Sequence, residues 1–113
     1  LLSDIREMLA HTDLHELFEV IVTADDVKNG KPDPEGYLLA LSRLNAGPTN
    51  PIRPDECVVV EDSHWGLAAA EAAGMHRIAV TNTYAEGQLI GKADRVVSRL
   101  DEITIADLEA ICR

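Results

Sequence analysis

Four apolar residues, Cys57 to Val60, run directly into Glu61, Asp62 and Ser63. A helix pattern of small residues follows, from Trp65 to Ala73, and Gly74 closes it. This order predicts a buried strand that delivers two adjacent acids to its carboxyl end, immediately before a helix begins. In open α/β sheets that edge is where ligands bind. Few other features of the chain restrict its fold as tightly.

The remaining pattern agrees with a strand–helix alternation. Ser3 to His11 carries Ile5, Met8 and Leu9 at helical spacing, with Ser3 as a cap. Leu14, Leu17 and Phe18 form a hydrophobic turn, and Val20-Ile21-Val22 reads as a short buried strand because it is β-branched throughout. After a polar loop, Glu35 to Leu44 predicts a helix with Tyr37, Leu38, Leu41 and Leu44 on one stripe, Asp33 as cap and Pro34 in the first helical position. Asn45 to Pro54 holds three prolines and a glycine and reads as a loop. Ile78-Ala79-Val80 predicts another strand, and Arg95-Val96-Val97 a short edge strand. Thr104 to Ile111 predicts a last helix, with Thr104 and Asp107 at capping-box spacing. Such alternation implies parallel pairing and a sheet covered on both faces.

Composition narrows the function classes. The 113 residues suit one modest domain or part of a larger one, and 46% hydrophobic content is enough for a core. Twenty acids against ten bases give a net charge of −10, which opposes nucleic acid and anionic membranes as partners. No apolar run is long enough for a membrane span, and no leader pattern is visible. Cys57 lies in the apolar run and reads as a small buried hydrophobe, not half of a disulfide with Cys112. A cytoplasmic location fits these features.

Two places can carry chemistry. Adjacent carboxylates at Glu61 and Asp62 repel each other, and a hard cation such as Mg²⁺ would relieve that repulsion while taking oxygen ligands. The helix amino terminus behind them would add a positive electrostatic backdrop. The bland alternative is that Asp62 only caps the helix and Glu61 is solvated. The second place is Lys31, in Gly30-Lys31-Pro32-Asp33-Pro34, where two prolines restrict the backbone just before a helix. A lysine so held can grip a phosphate or carboxylate as a point charge, and the alternative is an exposed loop lysine. His11 and His15 read as surface residues, His64 as a solvated loop residue near the acids, and His76 as the residue before a strand. No Gly-rich phosphate loop, nucleophile elbow or Ser-His-Asp arrangement is present.

Taken together, Gly30-Lys31-Pro32-Asp33-Pro34, Val58 to Ser63, Gly66 to Ala70 and Ala73-Gly74-Met75 resemble the haloacid dehalogenase superfamily, in its β-phosphoglucomutase and phosphoglycolate-phosphatase-like branch. The resemblance spans nearly the whole chain. It implies a Rossmann-like three-layer α/β/α parallel sheet, incomplete here, with residues 1–113 forming the carboxy-terminal part of the core. It implies Mg²⁺-dependent phosphoryl transfer through an aspartyl-phosphate, by a phosphatase or a sugar-phosphate mutase acting on a phosphorylated small molecule. Lys31 would match the family's lysine and neutralise the phosphoryl group and the nucleophile. Asp62 would bind Mg²⁺ directly, and Glu61 would bind it directly or through water.

The chain also departs from the family. No Asp-x-Asp follows an apolar strand, so neither the nucleophile strand nor the cap domain is matched. The resemblance therefore implies that the sequence supplies the lysine and the acids but is inactive alone. In the family's sheet two strands would separate Val20–Val22 from Val58–Val60. The isolated segment would then have to pair with the missing amino-terminal part, pair with another copy of itself, or rearrange. A rival reading is a non-catalytic truncated or split segment that acts as a binding or assembly module. A receiver-like signalling domain fits less well, because its acid pair comes early and its phosphoacceptor sits at a mid-chain strand end.

Overall fold

The computed structural model describes residues 5, 7–8, 10, 12, 14–47 and 50–113. The helix expected from Ser3 to His11 falls largely outside the described residues, including Ser3, Leu9 and His11. Leu14–Leu17 forms a single 3₁₀ turn, and Leu17 and Phe18 beside it are exposed.

Three strands form one sheet: β1 (Val58–Glu61), β2 (His76–Val80) and β3 (Arg95–Val97), in that spatial order. Both pairings are parallel, with Val60 opposite Ile78 and Val80 opposite Val97. The helices are α1 (Glu35–Leu44), α2 (His64–Ala72), the short α3 (Glu86–Leu89) and α4 (Ile105–Ile111). Each β-to-β connection crosses through a helix, as parallel pairing requires.

Alternating residues of the strands divide the core into two faces. On one, Val59 packs with Leu41 of α1, Ala70 and Ala73 around α2, and Met75, with Tyr37 and Cys57 at the margin. Ala79 continues that face beside Leu67 of α2 and Leu89 of α3. On the other face Ile78, Val80 and Val97 meet Ile103, Leu108 and Ile111 of the α4 region. The sheet is thus covered on both sides in a three-layer α/β/α arrangement. The alanines of α2 explain its close seat: Ala69 and Ala70 are fully buried, and side chains without branches let the helix approach the strands.

Local chemistry sets the element ends. α1 begins at Glu35 with Pro34, not Asp33, as its N-cap, one residue later than the sequence predicts, while Asp33 Oδ1 accepts the Glu35 N–H at 2.9 Å. Ser63, not Asp62, caps α2: its Oγ accepts the Gly66 N–H at 3.1 Å. Gly74 ends α2 with φ +78, a left-handed conformation that favours glycine. Thr104 and Asp107 form the expected capping box on α4. Cys57 and Cys112 are both free thiols, and burial, first of all, pushes the Cys57 thiol up in pKa.

The expected strand at Val20–Val22 is absent. A strand needs a hydrogen-bonded neighbour, and the sheet contains only β1, β2 and β3 among the described residues. The segment is half-buried, and the carbonyl of Ile21 accepts from the Arg43 guanidinium of α1 at 3.2 Å. Its β-branched residues therefore pack without a ladder. No helix of the described residues is long and apolar enough to cross a membrane.

Candidate active site

The carboxyl end of β1 places Glu61 and Asp62 at the sheet edge, where α2 begins. Parallel strands and α2 direct both residues to the same end, where their side chains meet and each takes further partners of its own.

Glu61 faces the loop before α1. Its Oε2 accepts from Lys31 Nζ at 2.7 Å and from the Tyr37 hydroxyl at 2.8 Å. Its Oε1 accepts from the Asp62 N–H at 3.0 Å and the Ser63 hydroxyl at 3.3 Å. The Glu61 side chain is only 9% exposed, against 50% for Lys31. Burial alone would raise its pKa, yet the Lys31 ammonium and the Tyr37 hydroxyl, aided by Asp62, hold it down to about 2. Glu61 is therefore a fixed anion. Tyr37 is pushed the opposite way: burial first, then its bond to Glu61, raises the phenol well above its ordinary value. The Lys31 ammonium also lies 5.3 Å from the centroid of the Tyr37 ring, within cation–π range.

Gly66 makes this packing possible. A Cβ placed there would overlap the carboxyl end of Glu61, so only glycine leaves the acid its place against α2.

Asp62 lies beside Glu61 and also reaches the next loop. Its Oδ2 accepts from the Thr83 hydroxyl at 2.6 Å, a charge-assisted contact from the loop after β2. The sequence-predicted trio is thus brought to one edge, with Lys31 and Glu61 in direct contact and the Asp62 side chain beside Glu61, where it also accepts from Thr83. His64 is not a loop residue. It opens α2, with its ring 4.5 Å from that of Tyr84 and its Nδ1 3.1 Å from Lys92 Nζ.

Tyr37 and Thr83 were not legible as site residues. Tyr37 reads as part of the apolar stripe of α1, and its polar tip is used only because β1 ends beneath it. Thr83 has one weak signal, its position at the carboxyl end of a predicted parallel strand.

Beside the site, a cavity of about 600 Å³ is lined by residues that include Val22, Thr23, Gly30, Lys31 and Tyr37. The Lys31–Pro32 peptide there is cis. Among the described residues no group of three or more His, Cys, Asp or Glu side chains could hold a metal. The donor chemistry fits a hard cation in part: Asp62 offers carboxylate oxygen, whereas both Glu61 oxygens already accept hydrogen bonds.

A parallel α/β sheet with a lysine and paired acids at its carboxyl edge defines a class of ligand-binding α/β domains that can handle anions. Comparison with known proteins specifies the class further. The model of the haloacid dehalogenase-like hydrolases matches residues 3–74. The chain belongs to that family. It is 45% identical over 91 residues to a phosphorylated carbohydrates phosphatase of Thermotoga maritima, covering 80% of this chain and 39% of the relative. The β-phosphoglucomutase of Clostridium difficile superposes with a TM-score of 0.76 at 25% identity, over 94% of this chain and 43% of that one. For the fold alone, a family IA hydrolase of Entamoeba histolytica matches at a TM-score of 0.84 and 24% identity, over 99% of this chain and 49% of that one. The chain thus spans about two fifths of the length of the curated relative it matches.

Proposed function

We propose that this chain supplies the lysine and acid half of a phosphoryl-transfer site, in a Mg²⁺-dependent phosphatase or sugar-phosphate mutase of the haloacid dehalogenase-like family. The observation that carries the reading is the 2.7 Å bond from Lys31 to a fixed Glu61 anion, made at the sheet edge that also bears Asp62. The relatives named as a phosphorylated carbohydrates phosphatase and a β-phosphoglucomutase support a phosphorylated sugar or similar small molecule as substrate.

In this reading Lys31 binds a phosphoryl oxygen and offsets charge on the transferring group. Phosphoryl transfer depends mainly on such positioning and charge stabilisation. Glu61 holds the ammonium from behind, and Tyr37 holds Glu61. Asp62 is the residue of this chain that would hold Mg²⁺, and Glu61 would reach it only through water. When bound, the cation would neutralise phosphoryl oxygen charge. An aspartyl-phosphate intermediate would use an aspartate from outside these 113 residues, since none here matches the family's nucleophile. A cytoplasmic setting is part of the same proposal.

The test is steady-state hydrolysis of a panel of sugar phosphates by the intact protein, with and without Mg²⁺. Metal-dependent phosphate release that Asp62→Ala abolishes is the expected result. Full activity in Asp62→Ala, or activity indifferent to chelator, would overturn the reading.

A further inference from the structure

We propose that Thr83 is a positioning residue for Asp62, fixing its carboxylate through Oδ2 for cation binding. The inference rests on the proposed role of Asp62 as the metal-binding acid and extends it to a residue of a different loop. Three observations lead to it.

The first is the contact. The Thr83 hydroxyl donates to Asp62 Oδ2 at 2.6 Å, in the short range of hydroxyl-to-carboxylate bonds. The bond crosses from the loop after β2 to the end of β1, 21 residues earlier in the chain. No local turn geometry accounts for it.

The second is the rigidity of the donor. The loop is tied at its start by the Thr81 N–H, which donates to the Val97 carbonyl at 3.0 Å. It is tied at its end by the Ala85 N–H, which donates to Gln88 Oε1 at 3.0 Å. Between them Tyr84 packs against the cluster of Leu67, Ala79 and Leu89, and its ring meets His64 at the start of α2. Thr83 is the exposed residue held between these anchors, and β-branching restricts its χ1. Asp62 is equally fixed, since β1 and the Ser63 cap of α2 set the backbone on either side.

The third is the contrast with Glu61. Both Glu61 oxygens accept hydrogen bonds from this chain, while the donor to Asp62 among the described residues is the Thr83 hydroxyl, on Oδ2. One carboxylate is saturated and anchors a lysine. The other lies beside it and takes the neutral Thr83 hydroxyl on Oδ2, a donor that aims it without cancelling its charge. Groups that orient a metal-binding carboxylate in this way typically affect metal affinity about 10- to 100-fold.

The experiment uses the intact protein and Mg²⁺ alone, titrated by calorimetry, with the Mg²⁺ activation constant measured in parallel. Thr83→Val keeps the shape and removes the hydroxyl, and Thr83→Ser keeps the hydroxyl. The expected result is a Mg²⁺ Kd raised about tenfold in Thr83→Val and within about twofold of wild type in Thr83→Ser. Turnover of Thr83→Val should recover at saturating Mg²⁺, which a general structural defect would not allow. Wild-type Mg²⁺ affinity in Thr83→Val, with Asp62→Asn losing it, would overturn the role of Thr83 and leave that of Asp62 standing. Wild-type affinity in Asp62→Asn would instead remove the metal-binding reading on which the inference rests.

Discussion

Lys31 and Glu61, thirty residues apart in sequence, are joined by a 2.7 Å ion pair between a half-exposed ammonium and a nearly buried carboxylate. The asymmetry matters. The acid is fixed by three further hydrogen bonds, whereas the lysine keeps one side open to solvent. Such an ammonium is aimed by the protein yet free to meet a second anion. Lys31→Met in the intact protein should lower phosphate-ester turnover about a hundredfold or more. It should also lower the melting temperature at least as much as loss of the Tyr37 hydroxyl, because it leaves a nearly buried carboxylate without its cation. Wild-type turnover in purified Lys31→Met protein would show that the ion pair is only structural.

Tyr37 reports on the same acid from within the core. Tyr37→Phe keeps the ring against the Leu41 and Val59 cluster and deletes one donor to Glu61. Loss of a hydrogen bond to a charged group should destabilise the fold by about 1–2 kcal/mol. Turnover should fall by less than in Lys31→Met, because the ammonium stays. Chemical denaturation and parallel kinetics check both halves, and unchanged stability would mean that the hydroxyl contributes nothing to Glu61.

Gly66 tests whether the placement of the acid matters. In Gly66→Ala the new methyl overlaps the Glu61 carboxyl, so the acid must leave its seat or α2 must shift. Forcing atoms into packed space typically costs about 1–3 kcal/mol. The expected outcome is a lower melting temperature together with impaired turnover. Gly87→Ala serves as the control, since nothing lies within 4 Å of a Cβ there. Equal behaviour of the two variants would refute the steric argument.

How much of this was legible in the sequence follows from the range of the forces involved. β1, α2, β2, β3 and α4 are local patterns of apolar period and caps, and the sequence predicts each close to its place. Lys31, Glu61 and Asp62 were legible as a set because short motifs carry them. What the sequence could not reveal is pairing across the fold. Val20–Val22 has strand-forming residues but no ladder partner among the described residues, so propensity loses to context. That Glu61 turns to Lys31 and Tyr37 while Asp62 turns to Thr83 depends on which loops the parallel sheet brings together. The sequence offered Asp62 as a cap of α2, and geometry gives that place to Ser63.

A pH effect is expected at α4, away from the site. Asp107 accepts the Thr104 N–H at 2.9 Å and pairs with the Arg95 guanidinium at 2.8 Å. The Thr104 backbone bond first, then Arg95, holds its pKa below the ordinary 3.8. A folded-state pKa below the unfolded value stabilises the fold above that ordinary value, and the contribution is lost as pH falls through the depressed one. Asp107→Asn should therefore melt below wild type at neutral pH, with the gap closing as the pH falls below the ordinary carboxylate value. A gap that stays constant across that range would mean that the charge of Asp107 plays no part.

The outer edge of β1 gives the last prediction. β1 pairs with β2 on one side only, and no strand of the described residues covers the other. Val60 on β1 is 45% exposed and Trp65 at the start of α2 is 69% exposed. An uncovered parallel strand leaves backbone N–H and C=O groups open to pairing with another chain. The 113-residue chain expressed alone should therefore self-associate with rising concentration, and it should not hydrolyse phosphate esters, since it has no match to the nucleophile. Val60→Lys should weaken the association, because a charge on an edge strand opposes strand addition. Sedimentation velocity across a concentration series, paired with a generic phosphate-ester assay, reads both properties. A concentration-independent monomer would refute the open-edge argument, and metal-dependent hydrolysis by the chain alone would refute the need for an outside nucleophile.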